Sequence, residues 1–219
     1  MKIQALENKT NPLPDDEGGV IRINNFKLSD NQKPRIWIVD NFYDNPNKVR
    51  NFALEQRYFD DDGYKGIRTR KQYLFEGIKE KFETIIGKKI TTWDIPDNNM
   101  NGRFQSIWAG LPQVVHCDGQ KWAGMIYLTP NAPFSSGTKI VANKKSKVFH
   151  GEQTNNIMDM FPNQETFLDE TLFEDVDVIG NVYNRLAIFD GRSIHVAGDY
   201  FGWDVPSGRL WQMFFFDTE

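Results

Sequence analysis

His116 and Asp118 stand two residues apart in Val114-Val115-His116-Cys117-Asp118, and that spacing constrains the chain around them more than any other feature does. Successive side chains of an extended segment leave opposite faces. A strand over Val114 to Asp118 therefore projects the imidazole and the carboxylate from one side and sends Cys117 to the other. Imidazole plus carboxylate on one face supplies two ligands of the Fe(II) site made by two histidines and one carboxylate, which keeps open positions for substrates. A third ligand has to arrive from elsewhere. The apolar run Leu186 to Phe189, a turn at Asp190-Gly191 and then Ser193-Ile194-His195 deliver a second histidine, and Arg209 follows it to open another strand. The remaining histidine, His150 in Phe149-His150-Gly151-Glu152, has no partner at ligand spacing and reads as a structural or surface residue.

This order of segments resembles the iron(II)- and 2-oxoglutarate-dependent oxygenases, and within them the prolyl 4-hydroxylase-like branch. Met125-Ile126-Tyr127-Leu128-Thr129 followed by Ser136-Gly137-Thr138 is similar to that branch's strand and turn after the His-x-Asp motif. Ala187-Ile188-Phe189, His195 and Gly208-Arg209-Leu210 are similar to its late segment, and Trp37 to Phe42 with Val49 to Phe52 to its entry strand and first helix. The likeness covers most of Ile36 to Phe216. It implies an all-β core with flanking helices, a double-stranded β-helix (jelly roll, cupin-like). It further implies that His116, Asp118 and His195 hold Fe(II), and that Arg209 receives the remote carboxylate of 2-oxoglutarate, with Arg192 as the rival cation. Tyr127 and Trp108 are expected beside the cosubstrate, although the inward phase of the first strand also allows Ile126. Retention of Asp118 favours hydroxylation over halogenation. Departures from the branch are the loop Gly198 to Asp204 between His195 and Arg209, Trp108 where a tyrosine is common, and Ser136 where a glycine is common.

The implied activity is a dioxygenase that uses O2 and 2-oxoglutarate, releases succinate and CO2, and hydroxylates a peptide side chain or a small molecule. Two alternatives stand beside it: a non-haem iron dioxygenase that needs no keto acid, and a non-catalytic jelly-roll binding or structural protein. If Arg209 faces inward, period two puts Trp211, Met213 and Phe215 on the same side as an apolar wall.

The 219 residues fit one domain, and 39% apolar content with 17 Phe and 6 Trp suffices for a core. Within it, residues 1–33 read as an arm with an edge strand at Val20 to Ile23, and residues 151–180 as an insertion or flap whose stretch Gln153 to Val178 is acidic and amphipathic. Asn45 or Asn47 caps a helix to about Gln56, Leu74 to Ile86 has helical spacing ended by Gly87, and Tyr58 to Arg70 reads as a solvated loop or as a substrate-facing lip whose basic end is Arg68, Arg70 and Lys71. Strands are expected at Arg35 to Val39, Ile90 to Trp93, Phe104 to Trp108, Trp122 to Leu128, Thr138 to Val141, Asn181 to Phe189 and Arg209 to Phe216, with a turn at Asp97 to Gly102. One cysteine excludes an intramolecular disulfide and a thiolate zinc cluster, and Cys117 is expected in the core. A net charge of −4 makes nucleic acid an unlikely partner. No window is long and apolar enough to span a membrane and no cleavable leader is visible, so a cytoplasmic protein is expected.

Overall fold

The computed structural model describes residues 13–14, 20–21, 34–60, 65–94, 100–163 and 166–219. The chain divides into two compact units, Met1–Pro34 and Arg35–Glu219. In the first, β1 (Leu13–Pro14) pairs antiparallel with β2 (Val20–Ile21), so the expected edge strand is seen over its first two residues and the rest of it lies outside the described residues.

The second unit carries β3 (Ile36–Val39), β4 (Tyr58–Phe59), β5 (Ile67–Thr69), β6 (Phe104–Ile107), β7 (Trp122–Tyr127), β8 (Thr138–Asn143), β9 (Phe173–Ile179), β10 (Leu186–Asp190), β11 (His195–Ala197) and β12 (Arg209–Phe216). A major sheet runs in the order β3-β10-β7-β12-β6-β5-β4, and a minor sheet in the order β11-β8-β9. From β6 onward the chain shuttles between them. It leaves β6, pairs His116 with His195 at the edge of the minor sheet, returns for β7, crosses to β8 and β9, returns for β10, crosses to β11 and ends in β12. Antiparallel pairing throughout and this alternation make the core a double-stranded β-helix, the jelly roll that the resemblance implied.

Period two in β12 sorts its side chains between two cores. Leu210, Phe214 and Phe216 join Phe104, Ile126, Leu186 and Ile188 on the face covered by α1 (Pro46–Leu54) and α2 (Ile78–Ile86), where Phe82 from α2 packs on Phe214, 5.0 Å between ring centroids. Burying each such ring is worth about 1.5–3 kcal/mol. Trp211 and Met213 instead face Ile107, Tyr127 and Phe189, on the side turned toward the minor sheet. A third cluster, Val115, Val141, Ile194 and Val196, lies under Met160 of α3 (Ile157–Met160) and Phe173.

Several expectations need correction. The helix expected from Leu74 begins at Ile78, after Gly77 turns the chain with φ 83°, and it stops at Gly87 as expected, whose N–H donates to Glu83 O. Tyr58 to Arg70 is not simply a loop: β4 and β5 pair with each other, and β5 adds to β6 through Ile67 opposite Ser106 and Arg68 opposite Gln105. Ile90 to Trp93 makes only an isolated bridge, Ile90 to Thr218. Val114 to Asp118 likewise forms a single bridge at His116 rather than a strand. Gln153 to Val178 is helical only in short turns, and its end belongs to β9, an edge strand with Val178 59% exposed. Asn181 to Arg185 precede the strand they were expected to begin. Of the expected turn, residues 95–99 lie outside the described residues. No helix among the described residues is long and apolar enough to cross a membrane.

Candidate metal centre and its cavity

His116 and His195 are each other's backbone partners. His116 N–H donates to His195 O at 3.0 Å and His195 N–H to His116 O at 2.8 Å, so one antiparallel rung places both imidazoles on the same side, 4.3 Å between ring centroids. Asp118 is fixed two residues on, where its N–H donates to Gly191 O at 2.7 Å. Ligand atoms of His116, Asp118 and His195 all lie within 4.8 Å of one another. His116 Nδ1 and His195 Nδ1 each sit 2.9 Å from a backbone carbonyl, Val114 O and Ser193 O. A carbonyl accepts only, so both Nδ1 atoms carry the proton and both Nε2 lone pairs are left for the Asp118 side, where they lie 3.7 and 3.4 Å from its carboxylate oxygens.

The electrostatics of this cluster are those of a binding site left to itself. Asp118 Oδ2 is buried and has no hydrogen-bond partner among the described residues. Burial pushes the Asp118 carboxyl up to about 6, against the opposing pull of the His116 imidazole. Burial, with His116 beside it, holds the His195 imidazole well below its usual value, so it is neutral. An orphaned carboxylate oxygen facing two imidazole Nε2 atoms, that of His195 neutral, fits a divalent cation, which supplies the charge that a hydrogen-bond donor otherwise would.

The cluster opens into a cavity of about 470 Å³. Arg209 lines it, 1% exposed, with Nε donating to Ser136 O at 2.7 Å and Nη2 to Gly137 O at 3.1 Å. Nη1 makes no hydrogen bond to the described residues, and the guanidinium lies over the Trp211 ring at 4.3 Å. Trp211, Met213 and Phe215 line the same cavity, as period two requires. Tyr127 is fully buried behind this wall, its hydroxyl 2.9 Å from Thr138 Oγ1 and its ring 5.5 Å from the Arg209 guanidinium carbon, whereas Ile126 faces the helices. Trp108 follows β6 and does not line the cavity. Arg192 is turned away onto Asp190 and Glu152, and Arg185 onto Asp40. His150 bonds to Asp190, 3.1 Å away, so Asp190 serves that histidine rather than a ring of the metal set. Cys117 lies on the opposite face, in the cluster around Val115, and burial pushes its thiol up to about 12.

The structure adds lining residues that sequence reasoning did not assign to this cavity, and brings in Arg68, which that reasoning offered as the basic end of a substrate-facing lip. Arg68 and Gln105 line it from β5 and β6, Lys65 from the turn before β5, Thr138 from β8, and Tyr200 from the loop after β11. For Arg68 the visible signal was its place at the basic end of Tyr58 to Arg70. Gln105 carried none.

Neither a family model nor a curated protein matches the chain. Among solved structures it is similar to a prolyl hydroxylase from Trichoplax adhaerens in complex with a hypoxia-inducible-factor oxygen degradation domain peptide fragment: 13% identity, 83% of each chain covered, TM-score 0.47. HygX from Streptomyces hygroscopicus with nickel and 2-oxoglutarate bound is similar at 10% identity over 81% of this chain and 80% of that one, TM-score 0.49. A prolyl-4-hydroxylase from Pseudomonas putida is similar at 11% identity over 84% and 92%, TM-score 0.43.

Proposed function

We propose that this chain is an Fe(II)- and 2-oxoglutarate-dependent dioxygenase that hydroxylates a small molecule or a peptide side chain, the activity being carried by Arg35–Glu219. The observation that carries this reading is one cavity holding two imidazoles, a carboxylate and a buried arginine at a suitable remove. His195 pairs with Ile140 on β8, and Arg209 Nη2 approaches Thr138, two residues earlier on that strand. Two residues of strand span roughly 7 Å, and the end carbons of a five-carbon diacid are roughly 5 Å apart. A keto acid whose far carboxylate meets Arg209 therefore has its reactive end toward the triad.

His116, Asp118 and His195 would hold the ion, which when bound supplies dioxygen activation coupled to oxidative decarboxylation of the keto acid. The net reaction takes R–H, O2 and 2-oxoglutarate to R–OH, succinate and CO2. The Val114 and Ser193 carbonyls hold the two imidazoles in the Nδ1–H tautomer and aim their Nε2 atoms at one point. Arg209 binds and orients the diacid, itself oriented by Ser136 and Gly137. Trp211, Met213 and Phe215 exclude water from one wall. A cytoplasmic location suits a ferrous ion, which needs reducing surroundings, and a metabolite cosubstrate.

Titrating the anaerobic ferrous protein with keto acids tests the assignment. Arg209→Leu should weaken 2-oxoglutarate binding by about 2–5 kcal/mol, the scale for truncating one partner of a buried charge pair, and spare pyruvate, which lacks the far carboxylate. Equal 2-oxoglutarate affinity in both proteins would remove the keto-acid role and leave an iron dioxygenase of another kind.

A further inference from the structure

We infer that His150, which takes no part in the reaction proposed above, is a positioning residue for the metal cluster: through Asp190 it holds the turn Asp190 to Ser193, and that turn holds both Asp118 and the His195 ring. The inference rests on the metal reading above and deepens it by naming what keeps the ligands aimed.

Two of the three ligands hang on this one turn. Gly191 O accepts the Asp118 N–H at 2.7 Å, and Ser193 O stands 2.9 Å from His195 Nδ1. The turn is also packed against the segment that bears Asp118. Gly191 N–H donates to Lys121 O at 2.8 Å, and a Cβ on Gly191 would stand 2.8 Å from Gln120 O and 3.1 Å from Asp118 Cβ. A carbonyl that fixes the tautomer and direction of a ligating imidazole re-aims its Nε2 when it moves. Gly191 and Ser193 act here through backbone atoms alone, so whatever grips the turn from outside sets their place.

Asp190 is that grip. Its carbonyl accepts the Ser193 N–H at 3.0 Å and its Oδ1 accepts the Arg192 N–H at 3.1 Å, which closes the turn from within. Its Oδ2 faces His150 Nε2 at 3.1 Å, and both residues are buried. The His150 ring is itself fixed. Nδ1 accepts the Glu152 N–H at 3.1 Å, so the proton lies on Nε2, toward Asp190. The backbone around it is tied to the same turn, with Ile194 N–H donating to Phe149 O at 2.7 Å and Gly151 N–H to Arg192 O at 3.2 Å. Arg192 also reaches Asp190 Oδ2, but its side chain is partly exposed and shared with Glu152. A carboxylate in this setting is costly unless partnered, and the His150 ring partners it from the buried side.

The two ring nitrogens of His150 thus have separable jobs, a cap on the turn Gly151–Gln153 and a contact to Asp190. Amide side chains separate them. Asn sets its oxygen near the place of Nδ1 and keeps the cap without reaching Asp190, whereas Gln sets its amide nitrogen near the place of Nε2 and keeps the contact without the cap.

The test is calorimetric titration of each protein with Mn(II) at one pH, beside denaturant unfolding of the metal-free forms. His150→Asn should weaken Mn(II) binding about tenfold and His150→Gln should hold it within about twofold of wild type, whichever of them loses more stability. Asp190→Asn should lose at least as much affinity as His150→Asn, and combining the two should cost nothing further, because the route is already cut. Were His150→Asn not to fold, Asp190→Asn set against His150→Gln carries the same contrast. Retained affinity in His150→Asn, equal loss in the two His150 variants, or additive losses in the double variant would overturn the inference and leave His150 as a cap. Those outcomes leave wild-type Mn(II) binding intact and so spare the metal reading, whereas wild-type protein that takes up no Mn(II) would defeat the metal reading and this inference together.

Discussion

At the residue scale, Asp118 ties metal affinity to pH. Its folded-state carboxyl, raised to about 6 by burial against the opposing His116, lies above the ordinary value of 3.8. The folded metal-free protein therefore holds this proton more tightly than the unfolded chain does. The stabilisation is full below 3.8 and is lost as pH rises through about 6. An incoming ion must displace the proton, whereas His195 is already neutral. Mn(II) titrations in buffers of different ionisation enthalpy should thus show more proton release near pH 5 than above pH 7, with a smaller difference in Asp118→Asn and with affinity falling at the acid end. Proton release that does not change over this range would remove Asp118 as the titrating ligand. The triad was legible in the sequence because His-x-Asp is a local pattern with one geometric meaning in an extended segment. Arg68 was legible only as the lesser of two readings, a substrate-facing lip beside a solvated loop: Asp60-Asp61-Asp62-Gly63 has loop composition, and it is pairing with β6 that turns the Arg68 side chain inward.

Elements were legible where their period was local. The two faces of β12 follow from alternation, and Gly87 closes α2 where expected. The hairpin of β4 and β5, with two and three residues, is too short to show a period and exists through its place beside β6. β9 carries Asp175-Val176-Asp177-Val178, an alternation obscured by the acidic stretch before it. Between β7 and β8 the loop has a fixed course because Gly137 lies against β9, where a Cβ would stand 1.7 Å from Ile179 O. The Ser136 and Gly137 carbonyls that orient Arg209 depend on this approach. Gly137→Ala should cost about 1–3 kcal/mol of stability, read from denaturant unfolding, and should weaken 2-oxoglutarate binding by more than it weakens Mn(II) binding. Equal loss of both ligands would place the effect elsewhere.

For Arg35–Glu219 as a whole, the jelly roll was expected because the order of segments resembles the 2-oxoglutarate oxygenases, and the rung that brings His116 to His195 is part of that fold. The short strands β4 and β5 that flank the core did not follow, because they rest on pairing with β6, far along the sequence. The rung joining His116 to His195 has a further consequence. Among the described residues, β11 meets beyond β8 that single rung and no full strand, so the minor sheet ends there in an edge closed by two hydrogen bonds. An ion shared by the two imidazoles bolts the edge shut, and without it a parted rung exposes backbone donors and acceptors to which a strand from another copy can add. Metal-stripped protein held at 37 °C should scatter more light over hours than the same protein with Mn(II), and Asp118→Ala should gain no protection from the ion. A metal at this site would then guard the chain against self-association as well as complete the cluster.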